Sequence, residues 1–213
     1  FTQPTYDHST AELRRGLLVT DKKGLKELKS TDRYDPNAQD GISKRWPPGF
    51  EAETYCAQGD EHTADGTVDE SAENAVGQME KRMKKMRALK SSLPEPELFL
   101  TQGESASDAD EGDIETLIVS WGSNKGVILD AMKELDSGVG YLHYSYLWPL
   151  RTEKFTRLSD RAKKVILVEC NYQGQLGMLL KQETGMDIDK EILKYDGRPF
   201  FYDELLSALT TLI

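Results

Sequence analysis

Hydrophobic and polar positions give this chain two textures, and the regular one begins at Ile114. There, Thr116-Leu117-Ile118-Val119-Ser120 reads as a strand. Asn124 to Leu135 reads as a helix with Val127, Ile128, Ala131, Met132 and Leu135 on one face. A strand over Val139 to Tyr144, a helix over Thr152 to Ala162 and a buried strand over Val165 to Glu169 follow. Gly174 to Gly185 is predicted as a helix closed by its own glycine, Glu191 to Lys194 as a short strand, and Tyr202 to Leu212 as a terminal helix. Apolar strands alternating with helices predict an α/β fold, a mostly parallel open sheet with helices on both faces.

The preceding sequence is irregular. Phe1 to Arg15 shows no sustained period, Leu17-Leu18-Val19 suits a short strand, and Asp21 to Lys29 suits a short helix ended near Ser30. Pro36-Asn37, Asp40-Gly41 and Pro47-Pro48-Gly49 make the stretch from Asp35 to Phe50 a loop. Glu53 to Gln58 reads as extended, ahead of a polar loop from Gly59 to Gly66. Thr67-Val68-Asp69-Glu70 has capping-box spacing, which predicts a helix from about Asp69 to Leu89. Val76, Met79, Met83, Met86 and Leu89 share one side of it, and a core or interdomain face is expected for that stripe ahead of a soft partner-binding surface. The acidic stretch Gln102 to Asp113 does not fit the calcium-loop pattern and is expected to be a solvated surface loop. The expected division is an irregular connecting extension over 1–66, the long helix and acidic loop over 67–113, and the α/β domain over 114–213.

Charge narrows the function. The 213 residues carry 27 Lys and Arg against 37 Asp and Glu, a net charge of -10. Neither nucleic acid nor a membrane surface is an expected partner, because both need a concentrated positive field. No apolar run approaches the roughly 20 residues a membrane helix needs. The two cysteines, Cys56 and Cys170, form no metal or redox motif, and with no basic-then-apolar leader the expected compartment is the cytoplasm. The chain opens at Phe1 rather than Met, so the C-terminal part of something longer is the favoured expectation.

Candidate chemistry sits at strand–loop–helix junctions, where open parallel sheets bind ligands. Ser120-Trp121-Gly122-Ser123-Asn124-Lys125-Gly126 lacks both the phosphate-loop and the dinucleotide fingerprints, and reads as a plain turn before a phosphate cradle. In Glu169-Cys170-Asn171-Tyr172-Gln173-Gly174, Asn171 suits a helix cap and Glu169 ends a buried strand, where an ionised carboxylate needs a partner. Gly122, Ser123, Asn171 and Gly174 are thus the candidate ligand loop. Cys170 near a helix N-terminus has a route to a lowered pKa, but without a nearby histidine or second cysteine a buried structural thiol is expected. Asp60, Glu61 and His62, with Asp65-Gly66 after them, are open to a metal, a general base, a pH-tuned contact or a purely structural role. Metal is disfavoured because a second histidine at ligand spacing is missing. No nucleophile, base and orienting group stand together by spacing.

These motifs occur in an order that resembles a known family. Arg14-Arg15-Gly16-Leu17-Leu18, Asp40-Gly41-Ile42-Ser43, Pro48-Gly49 and Gly59-Asp60-Glu61-His62 come first, followed by the long helix rich in Lys, Arg and Met. Val119-Ser120-Trp121-Gly122-Ser123, Glu169-Cys170-Asn171 with Gly174-Gln175-Leu176, and Asp196-Gly197-Arg198-Pro199-Phe200 complete the series. Across nearly the whole chain this is similar to the C-terminal region of the α subunit of 2-oxoacid:ferredoxin oxidoreductases, the 2-oxoglutarate type above all. The resemblance implies a transketolase C-terminal-like domain in a thiamine-diphosphate enzyme that converts a 2-oxoacid to its acyl-CoA and passes electrons to ferredoxin through a [4Fe–4S] cluster. It implies a β subunit and the rest of the α chain as partners, with ferredoxin met indirectly. Thiamine diphosphate, magnesium and the cluster are expected in the complete enzyme and not on this chain, which is expected to scaffold and to be inactive alone. Asp60, Glu61 and His62 become candidates for a subunit interface or active-site entrance. The sequence departs from the family pattern at Cys56-Ala57 and in the acidic insertion. The alternative is a stand-alone interaction or small-ligand-binding module.

Overall fold

The computed structural model describes residues 9, 11, 12, 15–101, 111 and 113–213. Arg14, most of the stretch before it and most of the acidic segment from Gln102 lie outside the described residues. The described residues up to Ser92 form one compact unit, and Leu93–Ile213 form a second.

The C-terminal unit is the α/β fold. It contains β1 (Glu97–Leu100), β2 (Thr116–Trp121), α3 (Lys125–Met132), β3 (Val139–Tyr144), α4 (Glu153–Ser159), β4 (Lys164–Glu169), α5 (Gln175–Thr184), β5 (Lys190–Leu193) and α6 (Tyr202–Leu212), with α1 (Lys22–Glu27) and α2 (Ala72–Ser92) in the unit before it. The five strands lie in the order β1-β3-β2-β4-β5. The pairs β2–β3, β2–β4 and β4–β5 are parallel, and β1 pairs with β3 antiparallel. Strand alternation sends Leu117, Val119, Leu142, Leu167 and their neighbours to one face, where Phe155 and Leu158 of α4 and Leu176 and Leu180 of α5 cover them. Ile118, Tyr141, Ile166 and Val168 face the other way, under Ile128 and Met132 of α3 and Leu205 and Leu209 of α6. The predicted sheet, covered on both faces, is the observed one.

Several element bounds move. The β5 strand sits one residue earlier than predicted, and α3 and α4 are shorter at their C-terminal ends. β1 was not anticipated. Its four residues follow Pro94 and Pro96, and it occupies the sheet edge, where a short strand pairs on one side only.

In the N-terminal unit, Leu17 to Val19 is not a strand but a single bridge between Leu18 and Arg45. α1 (Lys22–Glu27) is capped by Asp21, whose Oδ1 accepts from Gly24 N at 2.8 Å. α2 runs over Ala72–Ser92, so Thr67 does not cap it. Ser71 does, with its Oγ accepting from Asn74 N at 3.4 Å, while Thr67 N donates to Asp65 Oδ1 inside the preceding loop. The methionine stripe is not a core face of this unit, since Val76, Met79, Met83 and Leu89 are all exposed. The face of α2 that packs is set by a backbone approach. Gly41, at φ 68°, comes so close that a Cβ there would sit 2.6 Å from Lys81 O and 2.7 Å from Lys85 N. Gln78 on that helix is buried and reaches Tyr34 O.

Inside the sheet, Tyr141 Oη lies 2.8 Å from His143 Nδ1. Burial, followed by the nearby Lys125 charge, lowers the His143 imidazole from 6.5 to about 4, so the folded chain holds it neutral. Between those values the unfolded chain binds the proton first. The stability supplied by the neutral ring is therefore whole above pH 6.5 and lost as pH falls from 6.5 towards 4. We expect urea denaturation to lose up to about 3 kcal/mol of unfolding free energy to this group over that window, and His143→Gln to flatten that part of the slope.

Candidate functional site

β2 and β4 are adjacent and parallel, so Trp121 at the end of one and Glu169 at the end of the other meet at the carboxyl edge of the sheet. Glu169 is fully buried. A carboxylate taken out of water needs donors, and it has four contacts. Trp121 Nε1 donates to its Oε1 at 2.8 Å and Asn171 Nδ2 at 2.5 Å, while Leu176 N reaches its two oxygens at 3.2 and 3.0 Å. Asn171 Oδ1 accepts from the amides of Gln173, Gly174 and Gln175 at 3.1, 2.8 and 3.3 Å, the capping role expected of it. Gly174 is held at φ 62°, and a Cβ there would lie 3.0 Å from Leu167 Cδ2 and 3.1 Å from Glu191 Oε1. The first amides of α5 are thus satisfied by oxygens of this chain.

The loop with Gly122 and Ser123 stands beside this one. Both residues are exposed, on the turn leading into α3. Asn124 Nδ2 donates to Ser120 Oγ at 3.3 Å, and Cys170 Sγ donates to Asn124 Oδ1 at 3.2 Å. Trp121–Glu169 and Cys170–Asn124 therefore tie the two halves of the expected ligand loop together. Cys170 departs from expectation. As a whole the residue is exposed rather than buried, and partial burial of its thiol pushes the pKa up instead of the helix lowering it. The raised pKa favours the protonated thiol, which donates to Asn124.

Asp60, Glu61 and His62 lie in the other unit. Asp60 is exposed. Glu61 pairs with Arg82 on α2 through contacts of 2.7 and 3.2 Å, and that guanidinium holds its carboxyl below the usual range. Asp65 accepts from Thr63 Oγ1 at 2.6 Å and from Thr67 N at 3.0 Å, which lowers its carboxyl to about 2. His62 is left with Thr63 O at 3.0 Å from Nδ1 and the Tyr34 ring at 4.3 Å between centroids. Glu61 is committed to Arg82 and Asp65 to Thr63 and Thr67, and among the described residues no three His, Cys, Asp or Glu side chains gather as a metal site. The geometry makes this an ordered loop clamped to α2.

Sequence reasoning missed the aromatic character of the strand-end surface. Trp121 is 37% exposed, Tyr172 71% and Tyr195 64%, and the two tyrosines meet edge to face at 4.9 Å. Each follows or ends a parallel strand, which was the available signal. Of the three rings, Trp121 is held by its hydrogen bond to the buried Glu169 carboxylate.

The cap supplies a direct test of this construction. Asn171→Ala removes the acceptor for three amides and one donor to Glu169, and should cost about 1–2 kcal/mol in urea denaturation. The Trp121 indole, still bonded to Glu169, should keep its emission in the native baseline.

No family model matches the chain. It is 35% identical to 2-oxoacid:ferredoxin oxidoreductase 1, subunit alpha, of Sulfurisphaera tokodaii, over 82% of this chain and 26% of that subunit. It is 34% identical to the 2-oxoacid:ferredoxin oxidoreductase subunit alpha of Saccharolobus solfataricus, over 94% of this chain and 30% of that one. A solved 2-oxoglutarate:ferredoxin oxidoreductase from Magnetococcus marinus, with 2-oxoglutarate, coenzyme A and succinyl-CoA bound, superposes with a TM-score of 0.73 at 26% identity. That match covers 87% of this chain and 31% of the solved one. The chain therefore spans between a quarter and a third of the length of these relatives. Over the C-terminal stretch that it matches, it belongs to the α-subunit family of 2-oxoacid:ferredoxin oxidoreductases.

Proposed function

We propose that this chain acts as the C-terminal, scaffolding part of the α subunit of a thiamine-diphosphate-dependent 2-oxoacid:ferredoxin oxidoreductase. The observation that supports the reading is the 35% identity over 82% of the chain with the α subunit of a 2-oxoacid:ferredoxin oxidoreductase. In the reaction, a 2-oxoacid loses its carboxylate as carbon dioxide, the acyl group becomes a thioester of coenzyme A, and two electrons leave to ferredoxin. The 2-oxoglutarate and succinyl-CoA bound to the Magnetococcus marinus enzyme support 2-oxoglutarate or a close relative as substrate.

The residues of this chain do not fit a [4Fe–4S] cluster, which needs four thiolates where the sequence has two cysteines. Nor does the sequence contain a diphosphate-binding motif of the GDG type. We assign thiamine diphosphate, magnesium and the cluster to the β subunit and the rest of the α chain. What this chain contributes is surface: the strand-end aromatics beside Gly122, Ser123, Asn171 and Gly174, and the Asp60–Glu61–His62 loop at a subunit interface or active-site entrance. Its net charge of -10 repels an acidic ferredoxin, so docking of that partner belongs elsewhere in the assembly. No helix among the described residues is long and apolar enough to cross a membrane, and the cytoplasm is the proposed compartment.

The test is turnover. The chain alone should reduce no ferredoxin with 2-oxoglutarate and coenzyme A, whereas the assembly containing it, the rest of the α chain and the β subunit should. Turnover by the isolated chain, or an assembly equally active without it, contradicts the reading.

A further inference from the structure

We propose that the N-terminal unit carries an anion site, a cleft formed by Arg15, Arg33 and Arg45 that takes the phosphate or diphosphate group of a small ligand. The cleft holds about 320 Å³ and is walled by Trp46 and Tyr55.

Carboxylates outnumber cations in this chain by 37 to 27, and five arginines outside the cleft are paired with them. Arg82 pairs with Glu61, Arg151 with Glu95, Arg157 and Arg161 with Glu111, and Arg198 with Asp196. Among the described residues, none of Arg15, Arg33 and Arg45 has a carboxylate within ion-pair distance. They nevertheless line a single cleft. Like charges brought together without a counterion repel, and a bound anion reverses the sign of that term.

The second observation is an unmet donor. Arg33 Nε is buried and has no hydrogen-bond partner. Its guanidinium lies over the Tyr34 ring at 4.7 Å and the Tyr55 ring at 5.1 Å. Those faces attract the cation but leave the N–H without a strong acceptor, and a buried unmet donor costs about 1–3 kcal/mol.

The walls are also fixed. Arg45 is pinned by its bridge to Leu18, with Val19 N donating to Arg45 O at 2.9 Å and Arg45 N to Leu17 O at 3.1 Å. Trp46 Nε1 donates to Glu53 O at 3.0 Å, and its ring meets Tyr55 edge to face at 5.0 Å. A lone carboxylate satisfies one guanidinium fork, whereas a phosphate offers more acceptor oxygens and up to two charges. Three arginines around one cleft therefore favour a phosphate-bearing ligand.

Calorimetric titration of the full chain with inorganic diphosphate, at low ionic strength, tests this. We expect saturable binding that Arg33→Gln and Arg45→Gln each weaken at least tenfold. Arg87→Gln, on α2 and outside the cleft, should leave it unchanged. Arg45 is exposed, so its variant carries the test if Arg33→Gln fails to fold. Tighter binding of adenosine diphosphate than of diphosphate supports a nucleotide-like ligand, and equal binding supports free diphosphate. Absence of saturable binding, or equal weakening by Arg87→Gln, overturns the proposal.

Discussion

A carboxylate buried at the end of a strand is costly to desolvate, and in this chain the carboxyl edge of the sheet is arranged around that cost. Glu169 has no solvent contact, so its charge is met by the indole of Trp121, the amide of Asn171 and the backbone of Leu176. Those three partners come from the end of β2, the loop after β4 and the first turn of α5. Meeting the charge thus fixes the loop between strand and helix, orients Asn171 to cap α5, and holds the Trp121 ring at the surface. Asn124, tied to Ser120 and Cys170, adds a second cross-link between the same loops.

That construction has a functional consequence. In an open parallel sheet the carboxyl edge is where ligands usually bind, with helix amides free to receive an anion. Here Asn171 and Glu169 of the same chain occupy those amides, and what faces outward is aromatic. The proposed docking role rests on that aromatic edge and on relatives that are subunits, of which this chain spans no more than about a third. The basic cleft of the other unit is different in kind, because its cations are uncompensated within the described residues.

The central sheet was legible because β2, β3 and β4 each carry a run of apolar residues and are buried at nearly every position. Asn171 as a cap and Glu169 as a carboxylate needing partners followed from the same run of residues. Three things were not legible, each for a physical reason. β1 is short and follows prolines at an edge, where one-sided pairing imposes little pattern. The Thr67 capping box competes with an Asp65 that already binds Thr63 and Thr67, so the helix begins at Ala72 instead. Which face of α2 packs depends on Gly41 arriving from 40 residues earlier, a long-range contact that helical periodicity does not encode. The arginine cleft was missed for the same reason, since its members are spread from residue 15 to residue 45.

The central claim, that this chain is an assembling part of a larger oxidoreductase, is tested most directly by mass. Light scattering on a mixture of the chain with the remaining α region and the β subunit should give one species that contains the 24.0 kDa chain in fixed stoichiometry. Elution of the chain at its own 24.0 kDa in the presence of those partners would contradict the account.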